Sequence, residues 1–205
     1  MKHLLTVCLA ACVMSVGCET PPPPGSGPYR SVYPSPEALL TTLKQASQVG
    51  MISYYTAFET ATDCQEIPEL CNLLTAQKAS AVAMLRLYGS MSTRFGQEGA
   101  QAGQIMMADA FNAEYYAIKS ASVHSGNGDF AMLRIGENVY RIRKGLLGWQ
   151  VVQASTTTSD PVATAKAMDI LAQRVEQIHV GIDAGRYRSM SEVAAAMKQA
   201  IPLRN

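Results

Sequence analysis

The chain has 205 residues, of which 48% are hydrophobic and 16% are charged. This length suits one domain of ordinary size with an extension, and this balance excludes a chain that is disordered throughout. The formal net charge of +1 becomes zero without the first 17 residues, because Lys2 is their only charged residue. We therefore expect no nucleic-acid partner, since such binding depends on clustered Lys and Arg that neutralise phosphates.

The first 17 residues have the layout of a secretory signal peptide. Met1-Lys2-His3 is a short basic start, and residues 4–16 form a mostly apolar run that ends in small residues. A membrane-spanning helix needs about 20 apolar residues, so this run is too short to be one. Residues 1–17 are therefore predicted to be removed on export.

Two cysteines are placed to end the signal. Cys18 follows Ser15-Val16-Gly17, which resembles a bacterial lipobox except that Ser15 replaces the usual Leu or Val. Cys12 follows Leu9-Ala10-Ala11, a closer match by residue type, but it would leave a signal of only 11 residues. We predict Cys18 as the lipidated residue, with Cys12 as the alternative.

Residues 18–34 are predicted to form a tether. The stretch 19–28 consists mainly of proline, glycine and small polar residues, which cannot build a core and which favour an extended, semi-rigid chain. This is typical of a bacterial lipoprotein held in the cell envelope by lipid on Cys18 and facing the periplasm or the exterior. A plain signal peptide followed by a soluble exported protein is the alternative.

The ordered part is predicted to begin with two helices. Ser35 can cap a helix, Pro36 suits its first position, and Glu37 favours the positive end of the helix dipole. Gly50 is expected to end or bend this helix, and residues 51–61 to form the next one. The apolar stripe of the first helix is Leu39, Leu40, Leu43, Ala46 and Val49, and the aromatic residues of the second are Tyr54, Tyr55 and Phe58.

Cys64 and Cys71 are predicted to form a disulfide, because both belong to a chain with an export signal. In a continuous helix their Cα atoms would lie about 10 Å apart, so the segment must be a loop or a helix corner. Free or metal-bound thiols are the alternative, but two thiols without nearby histidines are an incomplete metal site. We expect no metal and no cofactor.

The middle of the chain is predicted to be helical, with one interruption. Residues 73–88 carry a broad apolar face at helical spacing. Residues 89–103 are rich in glycine and small polar residues, which favours a loop or a broken helix. Residues 104–111 are expected to form a short helix that leads into the sheet.

Alternating hydrophobicity predicts four strands joined by three tight, glycine-containing turns. Ala131, Leu133 and Ile135 fall on one face of the second strand and Arg134 falls on the other. This pattern predicts an antiparallel meander with one apolar face that helices must cover. The predicted strands are 115–124, 129–135, 138–144 and 149–154.

Two helices are predicted after the sheet. Pro161 suits a helix start, and apolar residues recur every three or four positions up to about Ala184, before Gly185. Ser189-Met190-Ser191-Glu192 matches a capping box, and Pro202 is expected to end the last helix. The fold class is therefore α+β: N-terminal helices packed on a curved, four-stranded antiparallel meander, with two C-terminal helices.

Helices followed by a meander of this kind resemble the nuclear-transport-factor-2-like (cystatin-like cone) superfamily. The segments that carry the resemblance are 35–40, 136–144 and 148–152, the last with the sequence Gly-Trp-Gln-Val-Val. It implies a cone-like domain over residues 35–155, with residues 156–205 as a helical extension. The insert at 64–103 is long for a minimal cone, and many members have no helices after the last strand.

Enzymes of that superfamily move protons with an acid or a histidine and a tyrosine inside the cone. The candidates that the resemblance implies are Tyr54, Tyr55, Asp109, Tyr116 and His124. Asp109, near two methionines, is the carboxylate most suited to an apolar pocket, whereas the tyrosines also read as core aromatics and His124 as an exposed residue. None of these residues forms a recognisable catalytic motif.

The sequence therefore favours a noncatalytic envelope module that binds a protein or a small apolar ligand through its concave sheet or its helical face. The alternative is a cone-fold enzyme that transfers protons in the sheet pocket, as isomerases and cyclases do.

Overall fold

A four-stranded antiparallel sheet lies against helices that precede it in the chain, and two further helices follow it. The computed structural model describes residues 32–126, 128–146, 148–155 and 160–200. The predicted signal peptide, Cys18 and most of the tether lie outside these residues. In chain order the elements are α1 Pro36–Val49, α2 Met51–Thr60, α3 Pro68–Lys119, β1 Ser122–Ser125, β2 Phe130–Ile135, β3 Asn138–Gly145, β4 Gly148–Ser155, α4 Pro161–Asp183 and α5 Met190–Ala200. The predicted α+β class is confirmed.

The sheet is the predicted meander, with strand order β1-β2-β3-β4. Ala131, Leu133 and Ile135 are buried against the helices, while Arg134 is exposed on the opposite face. A register shift between Arg141 and Ile142 places an extra β4 residue in the ladder. Such a bulge bends the strand and increases its twist.

The outer edge of β4 is covered by two short pieces of chain. Tyr33 pairs with Gly148, and Thr62 pairs with Val151, both in parallel bridges. The Trp149 amide donates to the Tyr33 carbonyl at 2.9 Å. The chain segments on either side of α1 and α2 are therefore hydrogen-bonded to the last strand of the sheet.

The first two helices begin and end close to where the sequence predicts. Ser35 Oγ accepts a hydrogen bond from the Ala38 amide at 3.1 Å. The Gly50 amide donates to the Ala46 carbonyl, and Gly50 separates α1 from α2. The predicted apolar stripe is wrong at its end, because Val49 is 80% exposed.

The long helix α3 is where the structure departs most from the sequence prediction. Residues 89–103 are helical except at Gly96, which has φ 58° and ψ −132°. Of the two predicted alternatives, the broken helix is therefore the correct one. Residues 115–119 are also helical, so the predicted first strand is wrong in its first half, and β1 begins only at Ser122.

The break at Gly96 reverses α3, so that residues 68–95, the first arm, and residues 97–119, the second arm, pack on one another. A Cβ atom on Gly103 would lie 2.2 Å from the Tyr88 ring, and one on Gly99 would lie 2.0 Å from the Met91 carbonyl oxygen. In a straight helix residues 88 and 103 would be about 22 Å apart. Gly99 and Gly103 therefore allow close contact between the arms.

The predicted disulfide is present at the start of α3. The Cys64 and Cys71 sulfur atoms are at bonding distance, 2.01 Å, and their Cα atoms are 5.7 Å apart. Cys64 lies in the turn before α3 and Cys71 lies in its first turn. This is the helix corner that the spacing required.

The two C-terminal helices match the prediction. Asp160 Oδ1 accepts from the Val162 amide at 2.9 Å and caps α4. Ser189 Oγ accepts from the Glu192 amide at 3.4 Å, while Glu192 Oε2 accepts from the Arg188 amide at 2.7 Å. The capping box thus forms, except that the Glu192 carboxylate accepts from the amide of Arg188 instead of the amide of Ser189. Pro202 lies outside the described residues.

Two hydrophobic cores result from this arrangement. The first joins α1, α2 and parts of α3 to the inner face of the sheet, and the second joins the first arm of α3 to α4 and α5. Phe111 on the second arm packs against both cores. The second arm therefore connects the two.

Replacing Gly99 by alanine is expected to lower the free energy of unfolding by about 2 kcal/mol, because the new methyl group collides with the Met91 backbone. The measurement is urea unfolding followed by far-UV circular dichroism. Gly89→Ala is the matched control, since Gly89 is helical and nothing lies within 4 Å of its Cβ position. That control should be neutral or more stable by up to about 1 kcal/mol. Equal effects of the two variants would contradict close packing of the arms.

Candidate functional site

The structure does not bring the predicted catalytic residues together. Asp109 is exposed on the second arm of α3 rather than directed into an apolar pocket. His124 is exposed on β1, where its Nε2 lies 3.2 Å from Ser122 Oγ. Tyr116 is also exposed, whereas Tyr54 is buried in the first core. Acid-base chemistry needs convergent groups, and these four residues do not converge.

A different acid lies beside the buried tyrosines. The Tyr55 hydroxyl of α2 donates a hydrogen bond to Glu114 Oε2 on the second arm of α3. The Tyr54 ring lies 5.5 Å from the Tyr55 ring, and Phe58 packs edge-on to Tyr140 of β3 at 5.1 Å. The Tyr55–Glu114 pair therefore joins two helices within an aromatic cluster.

Burial dominates the electrostatics of this cluster. It raises the pKa of the Glu114 carboxyl above its usual value, although the Tyr55 hydrogen bond acts in the opposite direction. Burial, and then the Glu114 charge, raise the pKa values of Tyr55, Tyr54 and Tyr140. The tyrosines therefore stay protonated, and Glu114 keeps its proton to a higher pH than an exposed carboxyl does.

Sequence reasoning missed Glu114. It lies three residues after Phe111 and four before Ile118, so all three share one helical face. Ile118 is fully buried and Phe111 is partly buried. That spacing could have identified Glu114 as inward-facing, but the assignment of residues 115–124 to a strand concealed it.

A cleft is formed by α2, the first arm of α3 and α4. It has a volume of about 720 Å³. Its lining combines small or apolar side chains, which we call the floor, with polar and charged side chains, which we call the rim. The lining residues are Ile52, Ala79, Val82, Ala83 and Ala172 on the floor, and Thr75, Lys78, Arg86, Gln173, Glu176 and Gln177 on the rim.

Ion pairs hold the rim of this cleft in place. Lys78 Nζ lies 2.5 Å from Glu59 Oε2, which links α3 to α2, and this contact lowers the pKa of the Glu59 carboxyl. Arg86 Nη1 lies 3.4 Å from Glu176 Oε1, which links α3 to α4. The side chains at both pairs are partly exposed, so each contributes about 1 kcal/mol or less. Their main effect is to fix the position of charged groups around an apolar floor.

No protein-family model, curated protein or solved structure matches this chain. The resemblance to the nuclear-transport-factor-2-like superfamily therefore stays a prediction. Within the part of the chain that the structure describes, no helix combines the length and the apolarity needed to cross a membrane.

Replacing Glu114 by glutamine is expected to change how stability depends on pH. The folded state raises the pKa of this carboxyl, so it binds the proton more tightly than the unfolded state does. The resulting stabilisation is fully present below the unfolded pKa of about 4.5 and is lost as the pH rises through the folded pKa. Between these two pKa values, the free energy of unfolding of wild type should therefore fall relative to that of Glu114→Gln. The slope of this fall is at most about 1.4 kcal/mol per pH unit.

The measurement is urea unfolding at a series of pH values. Asp109→Asn is the matched control, because Asp109 is an exposed carboxylate on the same arm of α3. That variant should follow the wild-type pH dependence. If wild type and Glu114→Gln show the same pH dependence of stability, the raised pKa of the Glu114 carboxyl is contradicted.

Proposed function

We propose that this protein is a lipid-anchored, noncatalytic module of the bacterial cell envelope that binds a helical segment of a partner protein. The binding surface is the cleft between α2, α3 and α4. The observation that carries this proposal is the cleft itself, about 720 Å³ in volume, with an apolar floor and a rim of paired charges.

The positions of the polar residues support a noncatalytic role. Asp109 and His124 are exposed on separate elements, and neither lines the cleft. Glu114 and Tyr55 do meet, but their hydrogen bond connects α2 to the second arm of α3. We interpret that pair as a structural element of the core, because the cleft is lined by other residues.

The helical face suits binding better than the inner face of the sheet does. Leu133, Tyr140 and Ile142 fill that inner face and are buried beneath the helices. The cleft, in contrast, follows the first arm of α3 from Thr75 to Arg86, a length of about 16 Å.

An elongated groove of this length accommodates about three turns of a helix. The small side chains of Ala79, Ala83 and Ala172 leave room for the backbone of such a helix to approach. A small apolar ligand would instead favour an enclosed pocket with few charged groups.

The proposed anchor rests on the signal layout, Cys18 and the proline-rich tether. In a bacterial export host, labelled palmitate should be incorporated into wild type and into Cys12→Ser, whereas Cys18→Ser should lose the label. Label that persists in Cys18→Ser and disappears in Cys12→Ser would move the anchor to Cys12. If none of the three proteins incorporates the label, lipidation is refuted.

A photo-crosslinking residue at Gln173, on the rim of the cleft, should give one discrete adduct in the envelope of the native host. The matched control is the same residue at Gln101, which is exposed on the second arm of α3 and outside the cleft. Ala79→Gln should reduce the adduct at least about tenfold, because it places a larger neutral side chain on the floor. Ala163→Gln, at an exposed site on α4, should leave the adduct unchanged. An adduct that survives Ala79→Gln, or that forms equally at Gln101, would refute the cleft.

A further inference from the structure

The turn between β3 and β4 exposes a large apolar side chain. Leu146 is 98% exposed and lies between the cross-strand pair Gly145 and Gly148. Lys144, before it, is also exposed. We refer to Lys144, Gly145 and Leu146 as the hairpin tip. A single exposed leucine is common on protein surfaces, so the tip needs an independent observation before it implies a function.

That observation is the position of Val32 and Tyr33, the first residues that the structure describes. Tyr33, at the start of the described body, pairs in parallel with Gly148, and the Trp149 amide donates to the Tyr33 carbonyl at 2.9 Å. Because the two segments run in the same direction, Val32 lies on the side of Tyr33 that faces the β3–β4 turn. The described body therefore begins beside this turn, and Val32, its first residue, is exposed.

The length of the tether limits the distance between the tip and an anchored membrane. About 15 residues separate Cys18 from Tyr33. Even when fully extended in the polyproline conformation, they reach about 45 Å. A body held this closely has a high effective concentration at the membrane surface, so a weak contact is enough to orient it.

Charges near the tip almost balance. Arg143 Nη2 lies 2.8 Å from Glu66 Oε1 and 3.9 Å from Asp63 Oδ2. The Lys144 amide donates to the Asp129 carbonyl at 2.9 Å, which places another acidic residue beside the turn. Contact with a membrane would therefore depend on apolar insertion and only weakly on anionic lipid.

We propose that the hairpin tip contacts the bilayer that holds the lipid anchor, with Leu146 inserted among the lipid headgroups and the first acyl carbons. This inference rests on the proposed lipid anchor at Cys18. The contact would turn the end of the sheet that carries the β3–β4 turn toward the membrane.

The test uses the mature chain, from Cys18 onward, attached to vesicles of phosphatidylethanolamine and phosphatidylglycerol with brominated acyl chains. Trp149 is the only tryptophan, so Trp149→Phe removes the background fluorescence. Leu146→Trp then reports on the tip. Glu137→Trp is the matched control, because Glu137 lies in the exposed turn between β2 and β3, at the other end of the same strand.

We expect bromine to remove about half of the fluorescence of Trp at position 146, since interfacial groups lie within about 10 Å of the acyl boundary. Trp at position 137 should keep its fluorescence. The result for position 146 should be similar in vesicles without phosphatidylglycerol. Position 146 remaining unquenched, or both positions quenched equally, would overturn the proposal.

Failure of the anchor and failure of the tip can be distinguished. If mass spectrometry shows that Cys18 is not acylated in cells, its thiol can be coupled to a maleimide-bearing lipid, because Cys64 and Cys71 are bonded to each other. Quenching at position 146 would then still support the tip, and its absence would still refute it. If Leu146→Trp does not fold, hydrogen exchange of the unmodified chain provides the same test. Protection on vesicles at residues 143–149 supports the contact, and unchanged exchange there overturns it.

Discussion

The reversal of α3 at Gly96 is the constraint on which the rest of the structure depends. Only a residue that tolerates a φ of 58° without strain allows the helix to turn back within a single position. The second arm then reaches both hydrophobic cores, and Phe111 packs against each. With the second arm on one side, the first arm is free to receive α4 on another. The proposed binding cleft is lined by this first arm together with α2 and α4.

The partly buried Tyr55–Glu114 pair follows from the same reversal, since Glu114 reaches α2 only on the returning arm. Burying a carboxyl is unfavourable, and the structure compensates by hydrogen bonding and by favouring the protonated form. Glu59 lies one turn after Tyr55 on α2 and pairs with Lys78 at the rim of the cleft. One short helix thus connects the polar pair in the core to the proposed binding surface.

The proposed anchor, tip and cleft assign different tasks to different elements. Tyr33, near the start of the described body, pairs with β4 close to the turn that carries the exposed Leu146. The cleft belongs to α2, α3 and α4 and uses no residue of the sheet. In this proposal, one end of the sheet faces the membrane while the helical groove binds the partner. The sheet itself acts as a scaffold, with its inner face filled by core residues.

Local chemistry was enough to predict the features that depend on nearby residues: the Ser35 cap, the β2–β3–β4 meander, the disulfide and the extent of α4. It also predicted Tyr54 and Tyr55 as core aromatics, whereas Tyr116, interpreted in the same way, is exposed. The broken helix at residues 89–103 was one of the two predicted alternatives, but its break could not be assigned to Gly96, because glycine suits a turn and close helix packing equally well. Residues 115–119 were wrongly assigned to a strand, because tertiary contacts override the strand preference of tyrosine. The partnership of Glu114 with Tyr55 was decided by tertiary structure alone, since 59 residues separate them and only the reversal at Gly96 brings them together.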